Sequence, residues 1–452
     1  MDIQLITVFP RFDFRSAWRR AAACCAPLFV LAAALPAHAA PPMLVGSYLP
    51  AWSTEKGFRI KDLDSSGVAA RFGYLNYAFE NVYDMGDGTY RCDSGRDIED
   101  RGDGGGMASS ADYVDPVGAD DAVAGAADAP GQPLAGNFNQ IRELKQRHPG
   151  LKVLVALGGG SWSRWFSAGS ATPELRSTLV ASCISTFIEG NLKRFNGRGG
   201  AGSALGVFDG IDIDWEHPAI GDGSYNTVSP DDKHNFTLLA AEFRRQLDEL
   251  SRRTGRRYYL SAAMNSTERY MAQTEPGEYA RSLDWLNLMS YDFHGSWNKN
   301  GPADFQSNLY VDPANPDPHP QSVDSGVQRF IAAGVPPEKI VVGVPFYARG
   351  WEGVPDVNHG LYQKAERPAQ GIELGIEKYG TIAKKPLPHF HDAASGQLWT
   401  YENGTFWTYD DPGVIRRKLD YVAQKKLGGI MSWSVDQDDA AFTLSRAMLG
   451  LD

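Results

Sequence analysis

Residues 208–216 read Phe208-Asp209-Gly210-Ile211-Asp212-Ile213-Asp214-Trp215-Glu216, and the alternation within them sets the reading of the whole chain. In extended backbone successive side chains point to opposite faces, so Asp212, Asp214 and Glu216 share one side while Ile211, Ile213 and Trp215 share the other. Neighbouring acids on that side lie ~6.6 Å apart along the strand, close enough that burial forces them to share protons or raises a pKa. Three readings are open. The strand has an ordinary solvated polar face; or the carboxylates are hard ligands for a divalent metal; or Glu216 is a general acid at the strand's end, tuned by the aspartates. Aspartate is a poor strand former, and this is the fourth of eight candidate strands, where an inward face meets a packed interior; both points favour the acid. Asp209 has the wrong parity for that face and is expected to brace the strand.

Working outward, short apolar runs alternate with amphipathic helical patterns, the signature of strand-helix units feeding a parallel sheet. The expected strands are Leu44–Tyr48, Tyr74–Phe79, Leu151–Leu157, Val207–Asp214, Tyr258–Met264, Trp285–Ser290, Ile340–Pro345 and Gly429–Trp433. Helices are expected over Asn137–Arg147, Thr172–Phe195, Asp231–Arg253 and Gly413–Lys425. The fold class is therefore α/β, a (β/α)8 TIM barrel, with an open doubly wound sheet as the alternative. Residues 351–407, between strands 7 and 8, are too long for one crossover helix and carry their own aromatics, so they read as a small α+β insertion; 40–350 and 408–452 form the barrel. Residues 84–131 hold 12 acids against three arginines without apolar periodicity; they read as a solvated surface excursion, with a calcium loop as the lesser alternative.

At 452 residues, 42% hydrophobic and 22% charged, the chain is long and apolar enough to bury a large core. Its net charge of −11 gives no basic footprint for nucleic acid. Arg11, Arg15, Arg19 and Arg20 precede an apolar run from Ala21 to Leu35 that closes on Ala37-His38-Ala39. The run is shorter than the about 20 residues needed to span a bilayer, so residues 1–39 read as a cleaved signal peptide of a secreted protein with no membrane partner. Cys24 and Cys25 would leave with it. Cys92 and Cys183 would remain, as a disulfide or as two buried thiols, and neither sits with histidines at zinc-ligand spacing.

The run Asp209, Asp212, Asp214, Glu216 resembles the Asp-x-x-Asp-x-Asp-x-Glu signature of glycoside hydrolase family 18, the chitinases. Other stretches fall in matching order: Gly46-Ser47-Tyr48, Tyr77-Ala78-Phe79, Leu157-Gly158-Gly159, Met289-Ser290-Tyr291-Asp292, Val344-Pro345-Phe346-Tyr347 with Arg349, and Gly428-Gly429-Ile430-Met431-Ser432-Trp433. The insertion resembles the chitin insertion domain of one bacterial subfamily. The resemblance implies a retaining, substrate-assisted chitinase that needs neither metal nor organic cofactor, acting as a monomer on chitin and chito-oligosaccharides. It implies Glu216 as general acid and base, Asp214 and Asp212 as its partners, and Tyr291 on the substrate's acetamido group. Tyr48, Phe79, Met289, Asp292, Trp297, Arg349 and Trp433 would bind sugar, and Trp52, Trp162 and Trp351 are possible further contacts. Glu216 would owe its raised pKa to the two aspartates. Endo-β-N-acetylglucosaminidases and non-catalytic chitin-binding lectins are the competing readings. Two departures stand out. Ala156 replaces a serine whose hydroxyl supports the inner aspartate, and Gly160 replaces a stacking tryptophan.

Overall fold

The computed structural model describes residues 43–94, 110–221 and 226–451; the expected signal peptide lies outside them. Eight parallel strands close into a barrel in sequential order, the last pairing with the first. They are β1 (Leu44–Pro50), β2 (Tyr74–Glu80), β3 (Lys152–Gly158), β4 (Gly210–Asp214), β5 (Tyr259–Asn265), β6 (Trp285–Met289), β7 (Ile340–Pro345) and β8 (Gly429–Trp433). Side chains of one parity fill the interior, among them Tyr48, Tyr74, Ala156, Trp285 and Met431. Those of the other parity, Ile211 and Ile213 included, pack outward against the helices. The helix Asp232–Thr254 shows the match: Phe236, Leu239, Phe243 and Leu247 recur at helical spacing and are all buried, and Gly255 ends it in left-handed backbone at φ 70°.

Two expectations require correction. The helix expected over Thr172–Phe195 starts at Pro173, passes into a π-turn at Ile184 and stops at Ile188. Gly190 (φ 73°) turns the chain away, and residues Leu192–Phe195 instead pair with Arg198–Gly200 across Asn196-Gly197, both in left-handed backbone. An Asn-Gly hairpin turn overrides the helical composition before it. The described residues of the 84–131 segment are also more than a solvated excursion. Asp112 and Asp128 are buried: Tyr77 donates to Asp112, and Asp128 accepts from the backbone N–H groups of Val117 (2.9 Å) and Gly136 (3.0 Å) and from Asn139 Nδ2 (2.6 Å). Irregular buried backbone needs acceptors, and these acids supply them. Cys92, in the hairpin Val82–Asp84/Tyr90–Cys92, is disulfide-bonded to Cys183.

Between β7 and β8 a separate antiparallel sheet is built from Tyr347–Glu352, Thr405–Tyr409, Gln397–Glu402 and His389–Asp392, with short strands Arg367–Pro368 and Ile376–Lys378 on its other edge. It therefore opens at Tyr347, directly after the barrel strand, and closes at Tyr409. Its own apolar cluster includes Phe305, Trp351, Trp399 and Phe406. Trp351 is fully buried there, with its indole N–H donating to the Asn298 carbonyl (2.8 Å), so it is a core residue and not a sugar contact. An ion pair without solvent exposure, Lys418 Nζ to Asp410 Oδ2 at 2.5 Å, ties the end of this sheet to the helix Pro412–Lys425. Among the described residues no helix is long and apolar enough to cross a membrane.

Candidate active site

The acids of β4 point into the barrel as their parity requires. Asp212 is completely buried and Asp214 almost so. Four strands aim donors at Asp212: Tyr48 Oη on β1 (2.5 Å) and Asn76 Nδ2 on β2 (2.8 Å) reach Oδ2, while Ser261 Oγ on β5 (2.5 Å) and Asn287 Nδ2 on β6 (3.1 Å) reach Oδ1. Asp214 leans inward and shares a hydrogen bond with Asp212. Burial raises both pKa values, but the donors pull Asp212 back, whereas the charge of Asp212 drives Asp214 well above the usual carboxylate range. Of this coupled pair Asp214 is the member whose protonated form is the more strongly favoured. Asn76, Ser261 and Asn287 were missed by sequence reasoning, although each has the inward parity of its strand and a buried polar residue at such a position is a signal.

Asp209 sits below the strand, accepting from Val153 N (3.0 Å) and pairing with Lys145 Nζ (2.7 Å), a brace as its parity requires. At the other end the backbone of β4 is met by Ser163, whose hydroxyl accepts from Glu216 N (2.8 Å) and lies within donating reach of the Gly159 (2.8 Å) and Asp214 (3.0 Å) carbonyls. Gly158 and Gly159 make this approach possible: both have positive φ, and a Cβ would lie 2.4 Å from the Asp214 carbonyl oxygen in the first case and 2.5 Å from the Phe79 ring in the second.

Glu216 has a pKa pushed up to about 7, first by burial and second by the charge of Asp292. This corrects the expectation that the strand's own aspartates raise it. The carboxylate that acts on Glu216 comes from the loop after β6. Asp292 is itself fixed by Tyr347 Oη (2.7 Å) and Arg349 Nε (2.8 Å), both from the first strand of the inserted sheet. A group that titrates near neutrality can donate a proton and accept it back, which is what general acid-base chemistry asks of it.

These groups open into a cleft of about 330 Å³. Tyr48, Phe79, Asp214, Glu216, Met289, Tyr291, Asp292, Arg349 and Trp433 all line it. Residues 45–438 match the sequence profile described as Glycosyl hydrolases family 18. The chain belongs to that family. It is 31% identical to Chitinase A1 of Niallia circulans over 91% of this chain and 59% of the relative, and 32% identical to Chitinase C of Streptomyces lividans over 85% and 55%. It thus spans a little over half the length of these curated relatives. Among solved structures, the catalytic domain of the psychrophilic chitinase B from Arthrobacter TAD20 superposes with a TM-score of 0.85 at 37% identity, covering 90% of this chain and 95% of that one. A family 18 N-acetylglucosaminidase from Paenibacillus barengoltzii superposes with a TM-score of 0.69 at 27% identity, over 91% and 100%.

Within this family 18 cleft, Trp433 forms the floor, stacked with Phe79 (centroids 5.5 Å, 17°) and flanked by Tyr48 and Trp52. Tyr291 lines the wall, and its hydroxyl has no protein partner among the described residues. Trp297 does not line the cleft; it stands half-exposed on the loop after β6, with the Arg349 guanidinium 5.0 Å from its ring. Trp162 is likewise outside the lining, while Trp52 is within it. Tyr347, Lys56 and the pair Lys378–Asp436 (3.4 Å), which sequence reasoning did not assign to the site, also line the cleft. Gly160 leaves open space: a Cβ there would meet only Glu216 Oε2, at 3.8 Å. Among the described residues no group of three or more His, Cys, Asp or Glu side chains could hold a metal ion.

Proposed function

We propose that this chain is an exported chitinase that hydrolyses β-1,4 linkages between N-acetylglucosamine units with retention of configuration. The observation that carries the reading is an aromatic cleft lined by Glu216, its pKa pushed up to about 7, and by Asp214, which is hydrogen-bonded to the buried Asp212. Trp433 and its aromatic neighbours offer a surface on which the apolar C–H face of a pyranose packs. Glu216 donates its proton to the bridging oxygen. The carbonyl oxygen of the substrate's own acetamido group then attacks the anomeric carbon, closing an oxazolinium ring as the leaving sugar departs. Asp214, keeping its proton, turns from Asp212 so that its carbonyl oxygen accepts from the acetamido N–H, which orients the attack. The Tyr291 hydroxyl, without a protein partner, donates to the acetamido oxygen. Glu216, now a carboxylate, takes a proton from the water that opens the ring, which restores both groups. Residues 1–39 supply the export signal.

A time course on N-acetylglucosamine hexamer with anomers resolved tests substrate and stereochemistry together. Newly formed reducing ends appear in the β form, fully deacetylated polymer resists cleavage, and Glu216→Gln keeps oligosaccharide binding while turnover falls by at least ~1000-fold. Products in the α form, equal cleavage of deacetylated polymer, or unchanged turnover in Glu216→Gln overturn the reading.

A further inference from the structure

We propose that Ser261 is a positioning residue for the reaction: its hydroxyl holds Asp212 as the fixed acceptor for Asp214, a task that Ala156 on the opposite neighbouring strand cannot perform. The inference rests on the reading that Asp214 leaves Asp212 during catalysis.

The strand register places the three residues in one layer. Asp212 pairs with Ala156 of β3 on one side and with Ser261 of β5 on the other. All three share the inward parity, and Ala156 lies in the apolar cluster that fills the barrel. A hydroxyl donor at this level can come from either flanking strand. The methyl of Ala156 offers none, and Ser261 Oγ reaches Asp212 Oδ1 at 2.5 Å, its sole hydrogen-bond partner among the described residues. The other donor to Oδ1, Asn287, is more distant at 3.1 Å, and its carbonyl oxygen is engaged by Tyr74 Oη (2.6 Å). Ser261 is completely buried, and serine differs from alanine by one oxygen, so the substitution removes the donor without opening a cavity large enough to rearrange the barrel. In the resting pair Asp214 also donates to Asp212. Once Asp214 turns to the substrate, Asp212 keeps its charge on the strand donors alone, so the Ser261 bond counts most when the reaction is under way.

The titratable groups facing Asp212 are Asp214 and, beyond it, Glu216 on its own strand, Tyr48 from β1, Tyr74 from β2 and Tyr291 after β6. The three tyrosines stay neutral in the working range because burial raises them all. The aspartate pair is therefore what titrates.

The test compares the full chain with Ser261→Ala and with the double variant Ala156→Ser/Ser261→Ala, by NMR titration of 13C-carboxyl-labelled aspartate and by pH profiles on N-acetylglucosamine hexamer. Losing one donor to a charged acceptor raises the carboxyl midpoint of the pair by about one pH unit, lowers kcat about tenfold with KM little changed, and moves the acid limb of the profile upward. The serine supplied from β3 returns midpoint and limb toward those of the parent. A folded Ser261→Ala protein with unchanged carboxyl midpoints, or a limb that stays displaced in the double variant, overturns the proposal. The titration needs no substrate, so it decides the role of Ser261 even if the parent chain fails to cleave the hexamer and the proposed function falls.

Discussion

Glu216→Gln should make the protein more stable, and by an amount that depends on pH in a defined way. The carboxyl is held at about 7 against an ordinary 4.5, so the fold disfavours its ionised form. At 1.36 kcal/mol per pH unit the full displacement corresponds to about 3 kcal/mol, an upper figure because the side chain is 20% exposed to the water of the cleft. The sign follows from linkage. Below about pH 4 the carboxyl is protonated both folded and unfolded and imposes no penalty. As pH rises past 4.5 the unfolded chain ionises first, and stability falls until the folded group also ionises near 7. Glutamine cannot ionise, so the variant gains almost nothing at pH 4, about 2 kcal/mol at pH 6 and about 3 kcal/mol from pH 7.5 upward. In a barrel of this length 1 kcal/mol moves the midpoint of thermal unfolding by about 1 °C, so the two proteins should melt together at pH 4 and about 3 °C apart at pH 8. Melting curves of both at four or five pH values suffice. A gap that does not grow between pH 4 and pH 8 refutes the claim that burial and Asp292 keep Glu216 protonated near neutrality.

Other outcomes follow from the same geometry. Asp292→Asn removes the second cause of the Glu216 displacement, so the alkaline limb of the pH–rate profile should move to lower pH; an unmoved limb leaves burial as the sole cause. Replacing Cys183 by serine opens a 91-residue crosslink and should lower stability by about 2–4 kcal/mol in denaturant titrations, with added reductant producing the same loss in the parent protein and none in the variant. Gly159→Ala and Gly160→Ala form a contrasting pair. The first forces a Cβ into the Phe79 ring from a left-handed backbone and should weaken oligosaccharide binding and cost more than about 1 kcal/mol of stability, whereas the second enters open space and should change turnover less than tenfold. Equal effects at the two positions would contradict the packing described for the floor of the cleft.

The barrel was legible because its evidence is local. Seven of the eight expected strands start within one residue of the observed start and end within two of the observed end, and the exception is small: residues 207–209 precede β4, which starts at Gly210. What failed was the chain between strands, where one glycine or one Asn-Gly turn outweighs the composition of the residues before it, as at Gly190 and Asn196-Gly197. The excursion at 84–131 was misjudged for a related reason. Its acids look solvated in a polar stretch, and only the folded chain brings the hydroxyl of Tyr77 and the backbone of residues 117 and 136 to them.

By itself the sequence determined that Asp212, Asp214 and Glu216 share one face and that this face turns inward, because a strand's period of two is a property of consecutive residues. The family resemblance also picked out Tyr48, Phe79 and Trp433, which line the cleft. Only the tertiary structure decided which of the two aspartates is the more strongly held protonated, since the donors that offset burial at Asp212 come from β1, β2, β5 and β6, separated from it by between 49 and 164 residues. The same holds for the cause of Glu216's acidity, which is Asp292 and burial and not its strand neighbours, and for the choice between thiols and a disulfide at Cys92 and Cys183. Periodicity fixes where a side chain points; desolvation and Coulomb interaction depend on what closure of the barrel brings within a few ångströms of it, and no local pattern contains that distance.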